Sequence, residues 1–519
     1  MRSTFHGLET AKRSLFTQQA ALQTTGHNVA NANTVGYSRQ SVNMVATKPI
    51  EAVGMTHSTA PGQLGTGVEY KSITRVRERF LDQQFRDENK SLGAWETRSS
   101  TLDKLQTIFN EPSDTGIRTV LDNFWKAWTS LAQDPENVTG RKIVRESAIA
   151  LTDTFNQISK QLSDMSADLT NNIGVKAKEI STIASSIADL NGVIQRTEAL
   201  GDNANDLRDQ RDVLTDQLSK IANISVVESS DGYTISMGTV NLVTGRNATE
   251  MTSDSLESAM SSGDLNNGEV YGMFISRDQY VSSYSAQLDA MANTIANGDI
   301  TITIPAGSVI PDGTTLDNIT YTGANRTLAQ DLTVTVKGLN GLHQLGYTFE
   351  NPMSTGLPFF TSKDDGTITA SSIQLNKEIQ KDTGKIATSL RTTGSGAAEA
   401  AVKGNSTLAM VVSQLKDLQF KFTDLETGGL VNGTVDDYFR SMIGQLGVQS
   451  QEADRQLKNN QTLVDYTDAN RQSVSGVSLD EEMSNLIKFQ HAYNAAARFM
   501  TTIDETLDKV INSMGVVGR

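Results

Sequence analysis

The chain has no cysteine among its 519 residues. That removes disulfides, thiol nucleophiles and thiolate metal sites together. Two origins fit the absence: chance in a cytosolic protein, or export to an oxidising exterior where a stray thiol is a liability. Aromatic residues are sparse, at 6%, against 37% hydrophobic residues overall, the balance of a chain rich in long helices and small side chains. A basic excess is missing too. The formal net charge of −15 argues against nucleic acid and anionic membrane as partners, since both need clustered Lys and Arg. No apolar run is long enough to span a bilayer. The opening MRSTFHGLETAKRSL lacks an uninterrupted hydrophobic segment and a small-residue cleavage site, so it does not read as a secretory signal.

Catalytic constellations are lacking as well. His6, His27, His57, His343 and His491 are scattered, and none has a partner at metal-ligand spacing. Thr383-Gly384-Lys385 resembles the tail of a phosphate loop, but Ile379 stands where the leading glycine belongs and Ile386 where Ser or Thr must hold magnesium. Asp364-Asp365-Gly366 is a turn signature without the alternating oxygen ligands of a calcium loop. No Gly-x-Ser-x-Gly elbow occurs. Asp480-Glu481-Glu482 stands where acidic residues favour a helix N-terminus. Trp125 and Trp128, three apart on a helix, read as core. No catalytic residue, metal ligand or cofactor is expected, and the chain does not read as an enzyme.

What is present is a pair of mirrored ends. Phe5, Leu8, Lys12, Leu15, Gln19, Leu22, Gly26 and Val29 fall at alternating three- and four-residue spacings. Leu479, Met483, Leu486, Gln490, Tyr493, Ala497, Met500, Asp504, Leu507, Ile511 and Met514 do the same. Each set draws a seam along a helix, tightest at Leu8, Leu15, Leu22 and Val29 and at Leu486, Tyr493, Met500, Leu507 and Met514. Alternate seam positions are small or polar. An isolated pair is therefore weak, and the pattern suits helices stabilised in a crowd, with assembly coupled to folding. An intramolecular coiled coil is the plainer reading of the same heptads.

Between the ends, GHNVANANTVGYSRQ reads as a helix end passing into a tight loop, with Asn31, Asn33 and Gly36 able to take left-handed backbone. Residues 41–75 look extended, with turn signals at Pro49, Gly54, Pro61-Gly62 and Gly65-Thr66-Gly67. A helix is expected from about Thr74 to Phe109, and a shorter one carries Leu121, Phe124, Trp125, Trp128 and Leu131. The longest seam follows: Leu151, Phe155, Ile158, Leu162, Met165, Leu169, Ile173, Lys176, Ile180, Ile183, Ile187, Leu190 and Ile194, with a stutter near Ile173. After Gly201-Asp202-Asn203 it resumes at Leu207, Arg211, Leu214, Leu218 and Ile221. Short β-like runs begin at Ile224, interrupted by a helical stretch, GMFISRDQYVSSYSAQLDAMANTIA. RTTGSGAAEA reads as a return linker, and Ser478 with Glu481 forms an S-x-x-E capping box.

The fold class expected is mainly α with inserted β: a helical-bundle or coiled-coil rod built from both terminal regions, carrying one or two small outer β domains. Its parts are a terminal coiled-coil core (1–40 and 475–519), a helical rod domain (41–225, 268–298 and 402–474) and inserted outer β domains (226–267 and 299–401).

The segment ALQTTGHNVANANTVGYSRQ (21–40) resembles the N-terminal signature of the bacterial flagellar axial proteins, the rod, hook and hook-associated subunits. SGVSLDEEMSNLIKFQHAYNAAARFMTTIDETLDKVI (475–511) resembles their C-terminal counterpart. With GTGVEYKSITRVRERFLDQQFR (65–86), ANDLRDQRDVLTDQLSKI (204–221) and GLNGLHQLGY (338–347), the combination is similar to the hook-associated junction subunits of that family. The resemblance is weakest at 226–267 and 299–330.

The resemblance implies export as an unfolded chain through the flagellar type III channel. It further implies a structural place at the hook–filament junction and terminal helices that form an inner tube while β domains face outward. It singles out Asn28, Asn31, Asn33, Gly36 and Tyr37 as the signature loop. The partners implied are further copies of the chain, the hook protein, the second hook-associated junction protein and an export chaperone at the C-terminal helix. Another axial subunit (second junction protein, hook protein or flagellin) remains an alternative, as do an exported wall-acting enzyme with axial termini and a cytosolic coiled-coil scaffold.

Overall fold

The computed structural model describes residues 5–49, 65–111, 113, 116–350, 352–394, 396–423 and 430–513. Met514 of the C-terminal seam, His57, and the turn signals at Gly54 and Pro61-Gly62 lie outside the described residues. The chain opens with helix α1 (His6–Ala30), strands β1 (Gln40–Ala46) and β2 (Val68–Arg75), and helices α2 (Arg79–Phe109), α3 (Ile117–Gln133), α4 (Val138–Glu198) and α5 (Asn205–Ile221). Strands β3 (Ser225–Ser229), β4 (Gly232–Met237), β5 (Val240–Thr244) and β6 (Asn247–Ala248) precede α6 (Ser253–Ser262) and α7 (Glu269–Ile275). A π-helical turn, Ser276–Val281, joins α7 to α8 (Ser282–Asn297). Then come β7 (Asp299–Ile304), β8 (Thr314–Leu316), β9 (Ile319–Tyr321), β10 (Leu332–Lys337), α9 (Gly338–Gln344), β11 (Phe360–Ser362), β12 (Ile373–Leu375) and α10 (Lys377–Lys381). The chain closes with β13 (Thr392–Thr393), β14 (Ala400–Ala401), α11 (Thr407–Gln414), β15 (Phe420–Thr423), β16 (Leu430–Gly433), α12 (Val435–Ser475) and α13 (Leu479–Asp508). The fold is mainly helical, with small antiparallel sheets, as the composition implied.

Two compact units divide it. The first takes residues 1–95, 174–271 and 457–519, and the second takes 96–173 and 272–456. In the first unit β1 and β2 form an antiparallel ribbon with an irregularity at Asn43/Met44, and α1 packs on it. The four strands β3 to β6 form an antiparallel meander. Asn191 of α4 fastens that meander: its amide donates to the carbonyls of Tyr233 and Gly245 and accepts from the Tyr233 amide, all at 2.7–3.1 Å.

In the second unit β7 and β10 pair so that Ile300, Ile302, Ile304, Val334 and Val336 are buried, the period-2 pattern of a one-sided sheet. The other face carries threonines paired across the strands, Thr301 with Thr335 and Thr303 with Thr333. Trp125 and Trp128 of α3 are both buried, as expected of core positions, and Phe124 and Trp128 pack on Phe359 and Phe360. Arg141 of α4 is buried among neutral oxygens: the carbonyls of Pro135, Thr383 and Ile386 and the Thr388 hydroxyl accept from it. Burial without a contacting carboxylate lowers its pKa to about 10, offset in part by Asp382. His343 is also fully buried. Its Nδ1 donates to the Leu357 carbonyl and its Nε2 accepts from the Ala387 amide, which fixes a neutral ring.

Several local expectations need correction. The residues at Thr74 and Arg75 belong to β2, because β1 pairs with that strand through Arg75; the helix starts at Arg79. On α4 the buried position is Ala177 rather than Lys176, whose amine reaches Glu179 and Glu269 instead. Near its end Asn191 is buried and Leu190 is not, since the meander needs an amide there. The 391–400 stretch is no open linker: Thr392 and Thr393 pair with Ala401 and Ala400. Ser478 does cap α13, accepting from the Glu481 amide, but the reciprocal arm of a capping box is absent because Glu481 binds Arg39.

Candidate assembly site

Helices α1 and α13 pack against each other in the first unit, so the first and last α-helices meet within one molecule. Across the contact the Asn28 amide meets Glu482 and Gly7 faces Ile503. The fully buried residues of α1 are Ala11, Thr17, Ala21, Thr24, Thr25 and Asn28, and those of α13 are Glu482 and Ala496. Leu8, Leu15, Leu22 and Val29, and opposite them Leu486, Tyr493, Met500 and Leu507, are half-buried. Thr17 and Thr24 use their hydroxyls on carbonyls, Val68 across to β2 and Ala20 within the helix.

The loop after α1 is an anchor. The Asn28 side chain donates to the Gln40 carbonyl at 2.9 Å and to Glu482 Oε2 at 3.0 Å. Its oxygen accepts from the Gln40 amide at 3.0 Å and the Tyr37 hydroxyl at 2.8 Å. One side chain thus ties α1, the start of β1 and the start of α13. The Tyr37 proton being spent on Asn28, His27 Nδ1, 3.0 Å away, donates to the Tyr37 oxygen. Burial, then Asp206, Asp209 and Glu482, raise the Tyr37 pKa and keep it a phenol. Asn31 closes the turn by donating to the His27 carbonyl. Asn33 is exposed.

Left-handed backbone was expected at Asn31, Asn33 and Gly36, and only Gly36 adopts it, with φ +79°. Asn31 sits at φ −103°, ψ 10°, because its amide still bonds back to the helix. A Cβ on Gly36 would lie 2.0 Å from Val213 Cγ2, so this position needs glycine for space as well as for backbone.

Beneath the loop lies a cluster that sequence reasoning missed. Asp209, Asp212 and Asp216 occupy one face of α5 at three- and four-residue spacing, and that face is turned inward. Ser38 gives Asp209 both its amide, at 2.9 Å, and its hydroxyl, at 2.8 Å. Arg75 binds Asp209 at 2.6 Å and Asp212 at 2.9 Å. Arg86 reaches Asp216 at 2.7 Å and Asp212 at 3.4 Å, and Arg471 of α12 reaches Asp216 at 2.5 Å. Arg77 forks onto Asp82 and touches the Ser38 hydroxyl. The Tyr233 hydroxyl donates to Asp212 at 2.6 Å while Arg211 stacks on its ring, 3.4 Å from the centroid.

Burial drives Asp212 up, but Arg77, Arg75, Arg86 and the Tyr233 hydroxyl outweigh it and hold the carboxyl well below the ordinary range. Asp209 goes the other way: burial raises it against the pull of Arg75 and Ser38. Tyr233 is pushed up to about 12, by burial and then by Asp212. All these groups bond one another, so the cluster positions backbone.

Of the seam expected on α5 at Leu207, Arg211, Leu214, Leu218 and Ile221, the residues Arg211, Leu218 and Ile221 are buried. Leu207 and Leu214 are only half-buried, because the inward face is occupied by the aspartates and their arginines. The alternation of Asp with Arg in ANDLRDQRDVLTDQLSKI was the available signal.

Three family descriptions match the chain. Residues 102–298 match "Flagellar hook-associated protein FlgK helical domain". Residues 8–37 match "Flagella basal body rod protein", and residues 469–514 match "Flagellar basal body rod FlgEFG protein C-terminal". The chain is 34% identical over 541 positions to flagellar hook-associated protein 1 of Bacillus subtilis, covering 100% of both. To the protein of the same name from Salmonella typhimurium it is 24% identical, covering 97% of this chain and 98% of that one. A solved structure, of the flagellar hook junction protein FlgK from Burkholderia pseudomallei, covers 76% of this chain and 100% of its own at 14% identity and a TM-score of 0.48. The chain belongs to the flagellar hook-associated protein 1 family, structural proteins of the bacterial flagellum.

Proposed function

We propose that the chain is an adapter joining hook to filament, assembled with copies of itself through the paired terminal helices. The observation that carries this reading is the apolar surface the pair leaves uncovered. Leu479, Met483 and Ile487 follow one another at four-residue spacing on α13 and are about half exposed, as are Phe499 further along the same helix and Phe16 on α1. A pair that leaves Phe16, Leu479, Met483, Ile487 and Phe499 open along its outer surface needs neighbours to cover it.

On this reading the axial partners are the hook protein and the second hook-associated junction protein, and the segments 226–267 and 299–401 face away from the axis. The chain travels unfolded through the flagellar export channel, which the missing cysteine suits. Leu486, Tyr493, Met500 and Leu507 are held before export by a small chaperone. No catalysis is assigned: the buried aspartates are bound by arginines and His343 by two backbone groups, which supports a structural role.

Ile487→Glu tests the reading, because it places a carboxylate on the exposed edge without touching the buried contact. The purified variant should melt as the parent does. Cells carrying it as their only copy should export it, bear hooks without filaments, release flagellin into the medium and fail to swim. Leu22→Glu on the half-buried seam should act likewise. Detection of the variant in the medium separates export from assembly. Normal filaments on Ile487→Glu cells overturn the reading.

A further inference from the structure

The two described ends of the helix pair fix its register. A Cβ on Gly7 would lie 2.7 Å from Ile503 Cδ1, and Asn28 bonds Glu482 at 3.0 Å. Both contacts obey one antiparallel rule, in which each step forward on α1 is a step back on α13. That rule sets Ser14 against Ala496 and Ala21 against Phe489; the latter two line the same small cleft beside Glu482. It likewise sets Leu8 near Met500, Leu15 near Tyr493 and Leu22 near Leu486.

The apolar seam does not by itself choose this register. Leu8, Leu15, Leu22 and Val29 recur every seven residues, and so do Leu486, Tyr493, Met500 and Leu507. Sliding one helix by a heptad, about 10.5 Å, brings large apolar side chains against large apolar side chains again. The facing row of Gly7, Ser14 and Ala21 is uniformly small and accepts Ile503 or Phe489 almost as well one layer on. Only the last layer is chemically distinct. One slip sets Asn28 against Phe489 and carries Glu482 past the end of α1. The opposite slip sets Glu482 against Ala21. Either leaves a buried amide or carboxylate without its partner, an outcome far costlier than a mismatched methyl.

We propose that the Asn28–Glu482 pair is the register lock of the terminal helices, selecting one of several heptad-related pairings that the apolar seam leaves nearly equivalent. This is the role a buried polar residue takes in coiled coils, where it costs stability and specifies alignment. The lock is continuous with the signature loop, since Asn28 also holds Gln40 and Tyr37. The proposal rests on the pairing of α1 with α13 inside one chain and not on where the chain assembles.

The absence of native cysteine makes the test direct. Two reporters are built in the full-length chain: Gly7→Cys with Ile503→Cys for the observed register, and Ser14→Cys with Ile503→Cys for a one-heptad slip. Both are oxidised at a dilution that keeps the chain monomeric, and intramolecular disulfide is quantified on gels and by mass spectrometry. With Asn28 and Glu482 intact, only the first reporter should close in high yield. In an Asn28→Leu, Glu482→Leu background, helicity should persist and the slip reporter should rise by at least about tenfold. Glu482→Gln keeps an acceptor for the Asn28 amide and should hold the observed register. The proposal is overturned if the double-leucine chain closes the first reporter alone. It is equally overturned if that chain closes neither, because the polar pair would then be needed for pairing itself and not for its alignment.

Discussion

Asp212→Asn is the most informative single change in the first unit. The substitution keeps the size and one acceptor oxygen but removes a charge faced by Arg75 at 2.9 Å, Arg86 at 3.4 Å and Arg77 at 3.6 Å. The Asp212 side chain is 1% exposed, so water does not replace what is lost. Removing one member of such a buried set costs about 3–5 kcal/mol, chiefly because the cations stay desolvated. For a cooperative domain of roughly 150–250 residues each kcal/mol moves Tm by about 2–4 °C, so the expected fall is on the order of 10 °C.

The pH dependence carries a sign. Asp212 is more acidic in the folded chain than in the unfolded one, so its contribution is complete above the unfolded value of about 3.9 and drains away as pH drops toward the folded value. Asp209 is less acidic when folded, so its ionisation on going from acid to neutral pH works in the opposite sense. Denaturant titrations of parent and Asp212→Asn should therefore differ most near neutrality and converge under acid. Tyr233→Phe, which removes the 2.6 Å bond to Asp212, should cost about 1.5–3 kcal/mol alone and distinctly less in the Asp212→Asn background. Curves that stay parallel from neutral to acid, or strict additivity of the two changes, refute the assignment of Asp212 as the charge centre of the cluster.

Gly36→Ala should cost roughly 1–2 kcal/mol for the left-handed backbone alone, plus the clash with Val213; adding Val213→Ala should recover the second part and not the first, as read by urea midpoints. His343 should titrate near pH 4 by NMR as a neutral Nδ1–H ring, since burial lowers it more than the Leu357 carbonyl raises it. With the folded value below the unfolded one, stability tied to His343 is complete above about pH 6.5 and is lost on acidification toward pH 4, a drop that His343→Gln should remove.

The long helices were legible because their buried positions follow a 3.6-residue period of Ile, Leu and Ala, as along α4. What escaped reading was burial by charge. A helix with Asp at 209, 212 and 216 interleaved with Arg looks like a solvated face until strand β2 and helices α2 and α12 bring arginines to it from distant parts of the chain. Sequence periodicity contains no term for partners more than a hundred residues away. The same limit applied at the ends, where heptad spacing marks the leucines but gives no sign that Ala11, Ala21 and Asn28 are more deeply buried than they are. Ser478 and Glu481 matched a local capping pattern, yet Arg39 took the glutamate, a competitor invisible in a four-residue window.

Arg141 has a consequence of its own. A cation gathering the carbonyls of Pro135, Thr383 and Ile386 and one threonine hydroxyl does the work that small domains often assign to a bound calcium ion: it converges stretches of loop on a single positive centre. Carried on a side chain, that centre is present at full stoichiometry whenever the chain is, cannot be stripped by chelators, and needs no ion from the surroundings in which the loops close. Its planar fork also fixes where each oxygen must lie. A lysine, with donors radiating from one nitrogen, cannot span the same set.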